Sequence, residues 1–199
     1  MKKFLIFSLV FVLLFSGCLG GGIYEKYYAG DIRHFRGNLI EAEKINVYPN
    51  ESAIKDILLN SEVYKIYIAF FPNETENSYY YASTFELTNK LGIIFRHKFQ
   101  GNESIGIVNE TDDSQCFIFY SIGKPKCFKS LPINSTDELI PTKIEPVILL
   151  LGPSHANKTA VTVEHSLIIV EGMDFSTDNR NYVDLDLSVD KILLVLMED

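Results

Sequence analysis

The residues with the clearest capacity for chemistry lie in a loop that follows an apolar run. After VILLL at 147–151, the sequence GPSHANKT at 152–159 differs by one letter from the G-x-x-x-x-G-K-[ST] loop that binds nucleotide phosphates. In that loop the second glycine lets the backbone wrap the phosphates, and a helix follows. Here Asn157 stands in place of this glycine, and the residues after Thr159 are β-branched and predict a strand. The sequence therefore predicts no nucleotide partner.

The same loop could instead serve hydrolysis or metal binding. Ser154 follows a predicted strand, as the nucleophile of a hydrolase elbow does, and His155 could meet Glu164 and His165 across a turn. However, the chain contains neither a G-x-S-x-G elbow nor an H-E-x-x-H motif. We therefore assign no catalytic residue, no metal and no cofactor. A surface hydrolase or metal-dependent enzyme that uses the 152–165 loop is kept as an alternative function.

The N-terminal residues indicate export. Lys2 and Lys3 precede an apolar stretch at 4–15, which has the length of the hydrophobic part of a secretory signal and is too short to span a bilayer. The following letters, LFSGC at 14–18, resemble a lipobox. In that motif small residues fit a signal peptidase, and the cysteine receives a lipid on its thiol.

This resemblance implies three segments with different roles. Residues 1–17 would be a signal peptide, and Cys18 would carry the lipid. The segment 18–23 includes three consecutive glycines and would act as a flexible tether. Residues 24–199 would then form one globular domain held at the outer face of the cell membrane. No later apolar segment is long enough to predict a second membrane crossing.

Asn-x-Ser/Thr sequons, which are potential N-glycosylation sites, are frequent in this chain. Six occur, none with proline in the middle position: Asn50, Asn73, Asn102, Asn109, Asn134 and Asn157. Most lie in polar segments with turn residues, where an attached glycan remains exposed. Because Asn, Ser and Thr all cluster in turns, chance alone would also produce some sequons. We predict an N-glycosylated extracytoplasmic protein.

The cysteines fit an oxidising compartment. With Cys18 assigned to the lipid, Cys116 and Cys127 remain as an even pair. The sequence between them predicts a strand, a turn and a returning strand, which could bring the two sulfurs together in a disulfide. A metal pair or a redox pair usually has closer spacing, such as C-x-x-C.

The net charge limits the possible partners. The formal net charge of the chain is −8. An acidic surface disfavours nucleic acid and anionic lipid headgroups as partners. We therefore predict no nucleic-acid partner.

Strand and helix patterns alternate along the chain. Strands are predicted at 44–48, 62–71, 104–108, 116–122 and 147–152, and a hairpin is predicted within 159–172. Three helices are predicted: one begins at about Asn50, one covers 76–98 with an end or kink at Gly92, and one begins at about Tyr182. In the last helix, an apolar stripe leaves Asp184, Asp190 and Lys191 outside it. This alternation predicts an α/β fold, a single layered domain with a central mixed or mostly parallel sheet flanked by helices.

The lipobox and the sequons together resemble archaeal cell-surface lipoproteins. In addition, the apolar strand followed by Gly152-Pro153 and then Asn157 resembles a motif of archaeal surface-layer proteins. These resemblances imply a membrane partner through the lipid anchor and an envelope or surface-layer protein as a further partner. We predict a structural or interaction component of the cell envelope that acts by binding. A small solute-binding lipoprotein is a second alternative.

Overall fold

The computed structural model describes residues 38–98, 106–109, 115–120, 125–175 and 183–198, all within one compact unit that spans 34–199. The predicted signal peptide (1–17), the lipid site Cys18, the tether (18–23) and the sequon asparagine Asn102 lie outside these residues. Among the described residues, no helix combines the length and the apolar character needed to cross a membrane.

Strands and helices alternate through most of the unit. The strands are β1 (Asn46–Tyr48), β2 (Lys65–Phe70), β3 (Gly106–Asn109), β4 (Gln115–Tyr120), β5 (Pro125–Pro132), β6 (Val147–Leu151), β7 (Ala160–Glu164) and β8 (Leu167–Glu171). The α-helices are α1 (Leu39–Glu43), α2 (Ser52–Leu58), α3 (Asn77–Lys98) and α4 (Asp184–Met197), and a short 3-10 helix covers Thr136–Glu138.

All described strands join one sheet in the order β1-β7-β8-β6-β2-β5-β4-β3. The six strands of five or more residues form its centre, and the short strands β1 and β3 form its edges. Within the centre, β8, β6, β2 and β5 are parallel neighbours, whereas β7 and β4 run antiparallel to β8 and β5. Four helices pack against this sheet. The predicted single α/β domain with a mostly parallel mixed sheet is confirmed.

The two faces of the sheet are covered differently. On β2, Ile66, Ile68 and Phe70 point to the face that carries α3, because Phe70 stacks on Tyr80 of that helix. Strand residues that alternate with these point to the other face, where a second cluster is centred on Ala69, Ile133, Val147 and Leu149. The segment after β5 contributes to this cluster through Ile133 and Leu139.

Helix α4 is more deeply buried than its sequence predicts. The polar residues Asp190 and Lys191 were expected outside the apolar stripe, on an exposed side, but every residue from 185 to 197 is buried. The reason is that α4 contacts the other three helices as well as β7 and β8. Its lysine is accommodated by specific bonds: the Lys191 Nζ lies 2.5 Å from the Glu51 carboxylate and donates to the Glu43 carbonyl oxygen at 3.1 Å.

Helix α3 continues past the position where its sequence predicts an end or a kink. Gly92 lies inside the helix and is buried, and the helix runs on to Lys98. Leu91 and Ile94 are fully or almost fully buried beside it. Their packing outweighs the cost of a glycine in a helix, which is about 1 kcal/mol.

The parallel strands define two edges of the sheet. Strands β8, β6, β2 and β5 all end at one edge, named here the carboxyl edge, and begin at the opposite amino edge. The chain that leaves β2 returns in β5 on one side, whereas the chain that leaves β6 returns in β8 on the other side. In open α/β sheets such a reversal of direction leaves a crevice at the carboxyl ends of the strands. A site is therefore expected between the segments that follow Phe70 and Leu151.

Candidate functional site

A buried carboxylate connects the two segments that flank this crevice. Glu76 directly precedes α3, and its side chain is only 4% exposed. Its Oε1 accepts hydrogen bonds from the backbone nitrogen of Ser154 at 3.0 Å and from the Ser154 Oγ at 2.5 Å. Its Oε2 accepts a hydrogen bond from the Tyr80 hydroxyl at 2.6 Å. The start of α3 is thereby fixed to the loop that follows β6.

Tyr80 extends this network to the end of β6. Its hydroxyl accepts a hydrogen bond from the Gly152 nitrogen at 2.9 Å, and its ring stacks on Phe70 with centroids 5.4 Å apart. A Cβ atom at position 152 would lie 2.8 Å from the Glu76 Oε2 and 2.9 Å from the Tyr80 hydroxyl oxygen. Glycine therefore allows this close approach without displacing either side chain.

The surroundings of Glu76 keep it ionised. Burial alone would raise the pKa of its carboxyl group. The hydrogen bonds from Ser154 and Tyr80, together with the charge of His155, outweigh burial and lower this pKa below its ordinary value. Burial and the bond to Glu76 both raise the pKa of the Tyr80 hydroxyl, which stays protonated as a donor. A carboxylate with a lowered pKa is a weak base, so Glu76 is poorly suited to remove the Ser154 proton.

Five backbone nitrogens of the loop 152–159 are bonded within the protein. Gly152 donates to Tyr80, Ser154 donates to Glu76, His155 and Ala156 donate to the Gly152 carbonyl oxygen, and Asn157 donates to Glu171. Pro153 has no N–H to offer. A phosphate loop requires these same donors to face its ligand. Two of the acceptors here are carboxylates, which would repel a phosphate.

A second buried carboxylate holds the far end of the loop. Glu171 is the last residue of β8 and is 7% exposed. Its Oε1 accepts from the Asn157 nitrogen at 3.4 Å, and its Oε2 lies 3.8 Å from the Lys158 Nζ. The Lys158 ammonium group also lies 4.6 Å from the centroid of the Tyr48 ring. The loop is thus held at both ends, between Glu76 and Glu171.

Only two of the four residues suspected of chemistry lie at this edge. Ser154 and His155 are exposed in the loop 152–159, where the His155 ring stacks on Phe71 with centroids 4.4 Å apart. The Ser154 Oγ bonds with Glu76 and, at 3.3 Å, with the Nδ2 of Asn73. No bond between the Ser154 hydroxyl and the His155 ring forms in the described part of the chain.

Glu164 and His165 lie at the amino edge instead, so the prediction that they could meet His155 is wrong. The cause is the direction of β7: it runs antiparallel to β8 and takes the chain from the carboxyl edge to the amino edge. The predicted hairpin is confirmed: Glu164 ends β7, and His165 begins the turn with a φ of 55°. His165 there lines an open cavity of about 360 Å³ together with Asp56, Ile57, Asn60, Lys143 and Ser166.

Comparisons with protein-family models, curated proteins and solved structures found no match. Within the described residues, no group of three or more His, Cys, Asp and Glu side chains is placed to hold a metal ion.

The predicted disulfide is partly visible. Cys127 is disulfide-bonded and lies in β5, where it pairs with Ile118 of β4. Cys116 lies two residues before Ile118 and therefore on the same face of the neighbouring strand. This placement is compatible with the bond between Cys116 and Cys127, which stays a prediction.

The sequon asparagines differ in their surroundings. Asn50, Asn134 and Asn157 are exposed, and Asn109 is the last residue of β3. Asn73 is half-buried, and its Oδ1 accepts hydrogen bonds from the backbone nitrogen and the hydroxyl of Thr75. Glycosylation at these positions stays a prediction.

Proposed function

We propose that this chain is a lipid-anchored, N-glycosylated domain on the outer face of the cell membrane, which acts by binding within the cell envelope. The anchor would be a lipid on Cys18, and the partner would be an envelope or surface-layer protein. The lipobox, the sequons and the disulfide-bonded Cys127 support an extracytoplasmic location.

One observation favours binding over catalysis. The groups at the carboxyl edge that could perform chemistry are engaged in holding the loop 152–159. Glu76 accepts hydrogen bonds from Ser154 and Tyr80, and its pKa is lowered. A general base works best when its pKa lies near the operating pH, whereas the pKa of Glu76 is shifted down, away from neutral pH. The site is built to keep a surface loop in one shape, and this role does not require proton transfer.

Replacing Ser154 by alanine tests the choice between binding and hydrolysis. Because Ser154→Ala removes one hydrogen bond to a charged group, we expect a loss of about 1–3 kcal/mol in the free energy of unfolding. Its backbone bond to Glu76 remains. The exposed residue Ser78 offers a control, since Ser78→Ala removes a hydroxyl outside this network. Urea unfolding gives the stability, and a panel of ester, peptide and glycoside substrates gives the activity. A hydrolytic activity of the wild type that disappears in Ser154→Ala alone would contradict the proposal.

The location is tested on protein purified from native cells. We expect the intact mass to show loss of residues 1–17 and a lipid on Cys18, and membrane fractionation to recover the protein with the membranes. The Cys18→Ser variant should leave the membrane fraction, because it lacks the anchoring thiol. An unprocessed, lipid-free protein recovered from the cytosol would contradict the proposal.

A further inference from the structure

The fold gathers sequons that are far apart in the sequence. Asn73 follows β2, Asn134 follows β5 and Asn157 follows β6, so all three lie where parallel strands end at the carboxyl edge. Strand β3 runs in the direction of β5, because both are antiparallel to β4, and it ends at Asn109. Asn50 is the exception among the described sequons, since it lies between β1 and α2.

We propose that the carboxyl edge is the glycan-bearing pole of the domain, and that sugars on Asn73 and Asn157 cover Ser154 and His155. This inference rests on the proposed function, because the glycans require an extracytoplasmic location. It goes beyond that function by naming the surface that the glycans close to partners.

The local geometry places the sugars directly beside the loop 152–159. The attachment atom of Asn73, its Nδ2, lies 3.3 Å from the Ser154 Oγ. On the other side of His155, Asn157 is exposed while its backbone nitrogen is bonded to the buried Glu171. A glycan at either position extends from a fixed point of attachment. His155 is near both, because it precedes Asn157 by two residues and its ring stacks on Phe71, which precedes Asn73 by two residues.

The modification leaves the hydrogen bonds of the Asn73 Oδ1 in place. The donor would be a glycan linked to a polyprenyl phosphate or diphosphate. The Asn73 Nδ2 forms a bond to the anomeric carbon, the bond from that carbon to the phosphate oxygen breaks, and the phosphate leaves with the electron pair. One amide proton is released and one N–H remains on the nitrogen. The Oδ1, which accepts from Thr75, does not take part.

Glycans at this edge would direct partners to other surfaces. The amino edge, with His165 and its cavity, carries none of these four sequons, and among the described sequons only Asn50 lies there, because β1 runs parallel to β7 and ends at that edge. Among the described side chains of α3, the exposed ones follow one stripe, Ser78, Tyr81, Phe85 and Asn89, in which two are aromatic. A partner protein would approach through such surfaces, and a substrate would not reach Ser154.

Chemical labelling of two histidines tests this arrangement. His155 and His165 are both exposed, but only His155 lies at the carboxyl edge near Asn73 and Asn157. We compare diethyl pyrocarbonate modification of the two, mapped by peptide mass spectrometry, in native protein and in unglycosylated protein made in bacteria, both with Asn50→Gln so that no sugar is attached near His165. We expect the ratio of His155 to His165 labelling to be several-fold lower in the native protein. Asn157→Gln, at an exposed position, should restore part of the His155 labelling.

Two outcomes would overturn the inference. One is a labelling ratio that is the same in native and unglycosylated protein. The other is native peptides with bare Asn73, Asn109, Asn134 and Asn157. If the lipid is found on Cys18 while these asparagines are bare, the glycan pole fails and the anchored location stands. If lipid and sugar are both missing and the protein is cytosolic, the proposed function fails as well.

Discussion

Replacing Gly172 by alanine is expected to lower the free energy of unfolding by about 1–3 kcal/mol or more, because the added methyl group overlaps with backbone atoms. A Cβ at this position would lie 2.2 Å from the backbone nitrogen of Leu185 and 2.5 Å from its Cα. Gly172 follows β8, and Leu185 belongs to the first turn of α4. Relief of the overlap would require α4 to move away from the sheet.

Such a movement would break the bond that α4 makes to the peptide group between Glu171 and Gly172, which the sheet holds in place. The Gly172 nitrogen donates to the Leu151 carbonyl oxygen at 2.9 Å, and the Ser188 hydroxyl of α4 donates to the Glu171 carbonyl oxygen at 2.7 Å. Because α4 is buried along 185–197, its displacement also disturbs the helical core. Gly172→Ala is therefore expected to be among the most damaging single-methyl additions in this chain.

Two further variants make the measurement specific. Met173→Ala changes the exposed neighbour and should have little effect. Gly152→Ala places a methyl group against the side-chain atoms of Phe175, Glu76 and Tyr80, which can shift, so its cost should be smaller than that of Gly172→Ala. Urea unfolding followed by circular dichroism gives all three values. If Gly172→Ala and the wild type have the same midpoint urea concentration of unfolding, the close approach of α4 to the end of β8 does not exist.

The sequence predicts elements whose patterns are local. Strand β2 is recognised by its β-branched and aromatic residues, and β6 by an unbroken apolar run that fits burial on both faces. The hairpin of β7 and β8 follows from two such runs around Glu164 and His165. These signals come from neighbours in the chain and do not depend on the order of strands in the sheet. For that reason the fold class was predictable, whereas the burial of the polar side of α4, with Asp190 and Lys191, was not.

The site depends on contacts that no local pattern contains. Glu76 and Ser154 are 78 positions apart, and they meet because β2 and β6 are neighbours in the sheet. The sequence predicts both strands but not their adjacency, so Glu76 and Tyr80 were not identified as partners of the loop. The opposite error was the expectation that His155 and His165 could meet. They are close in the sequence, but the strand β7 between them advances about 3.3 Å per residue and separates them across the sheet.

Replacing Glu76 by glutamine is expected to have the second large effect, and it also makes a prediction about pH. Both oxygens of Glu76 accept hydrogen bonds from Ser154 and Tyr80. In glutamine an NH₂ group replaces one of the two oxygens, so it would face the donor groups of Ser154 or of Tyr80. The remaining oxygen is uncharged, and the charge-assisted hydrogen bonds of the carboxylate would be lost. Such a loss costs about 1–3 kcal/mol. We expect Glu76→Gln to unfold at a lower urea concentration at pH 7.

The pH dependence follows from the lowered pKa of Glu76. In the unfolded chain the pKa of this carboxyl returns to its ordinary value of 4.5, so folding favours the ionised form. The stabilisation is fully present above this value and is lost as the pH falls through the lower folded pKa. The gap in unfolding free energy between wild type and Glu76→Gln should therefore be constant near pH 7 and should shrink below about pH 4.5.

Glu74→Gln is the matched control for this measurement, because it removes the same charge from an exposed position two residues away. Urea unfolding of the three proteins at several values between pH 3 and pH 7 provides the comparison. A gap for Glu76→Gln that is no larger than that for Glu74→Gln, or that does not shrink in acid, would mean that Glu76 is not the ionised centre of the network. The loop 152–159 would then have to be held by its backbone bonds to Gly152 and by Glu171 alone.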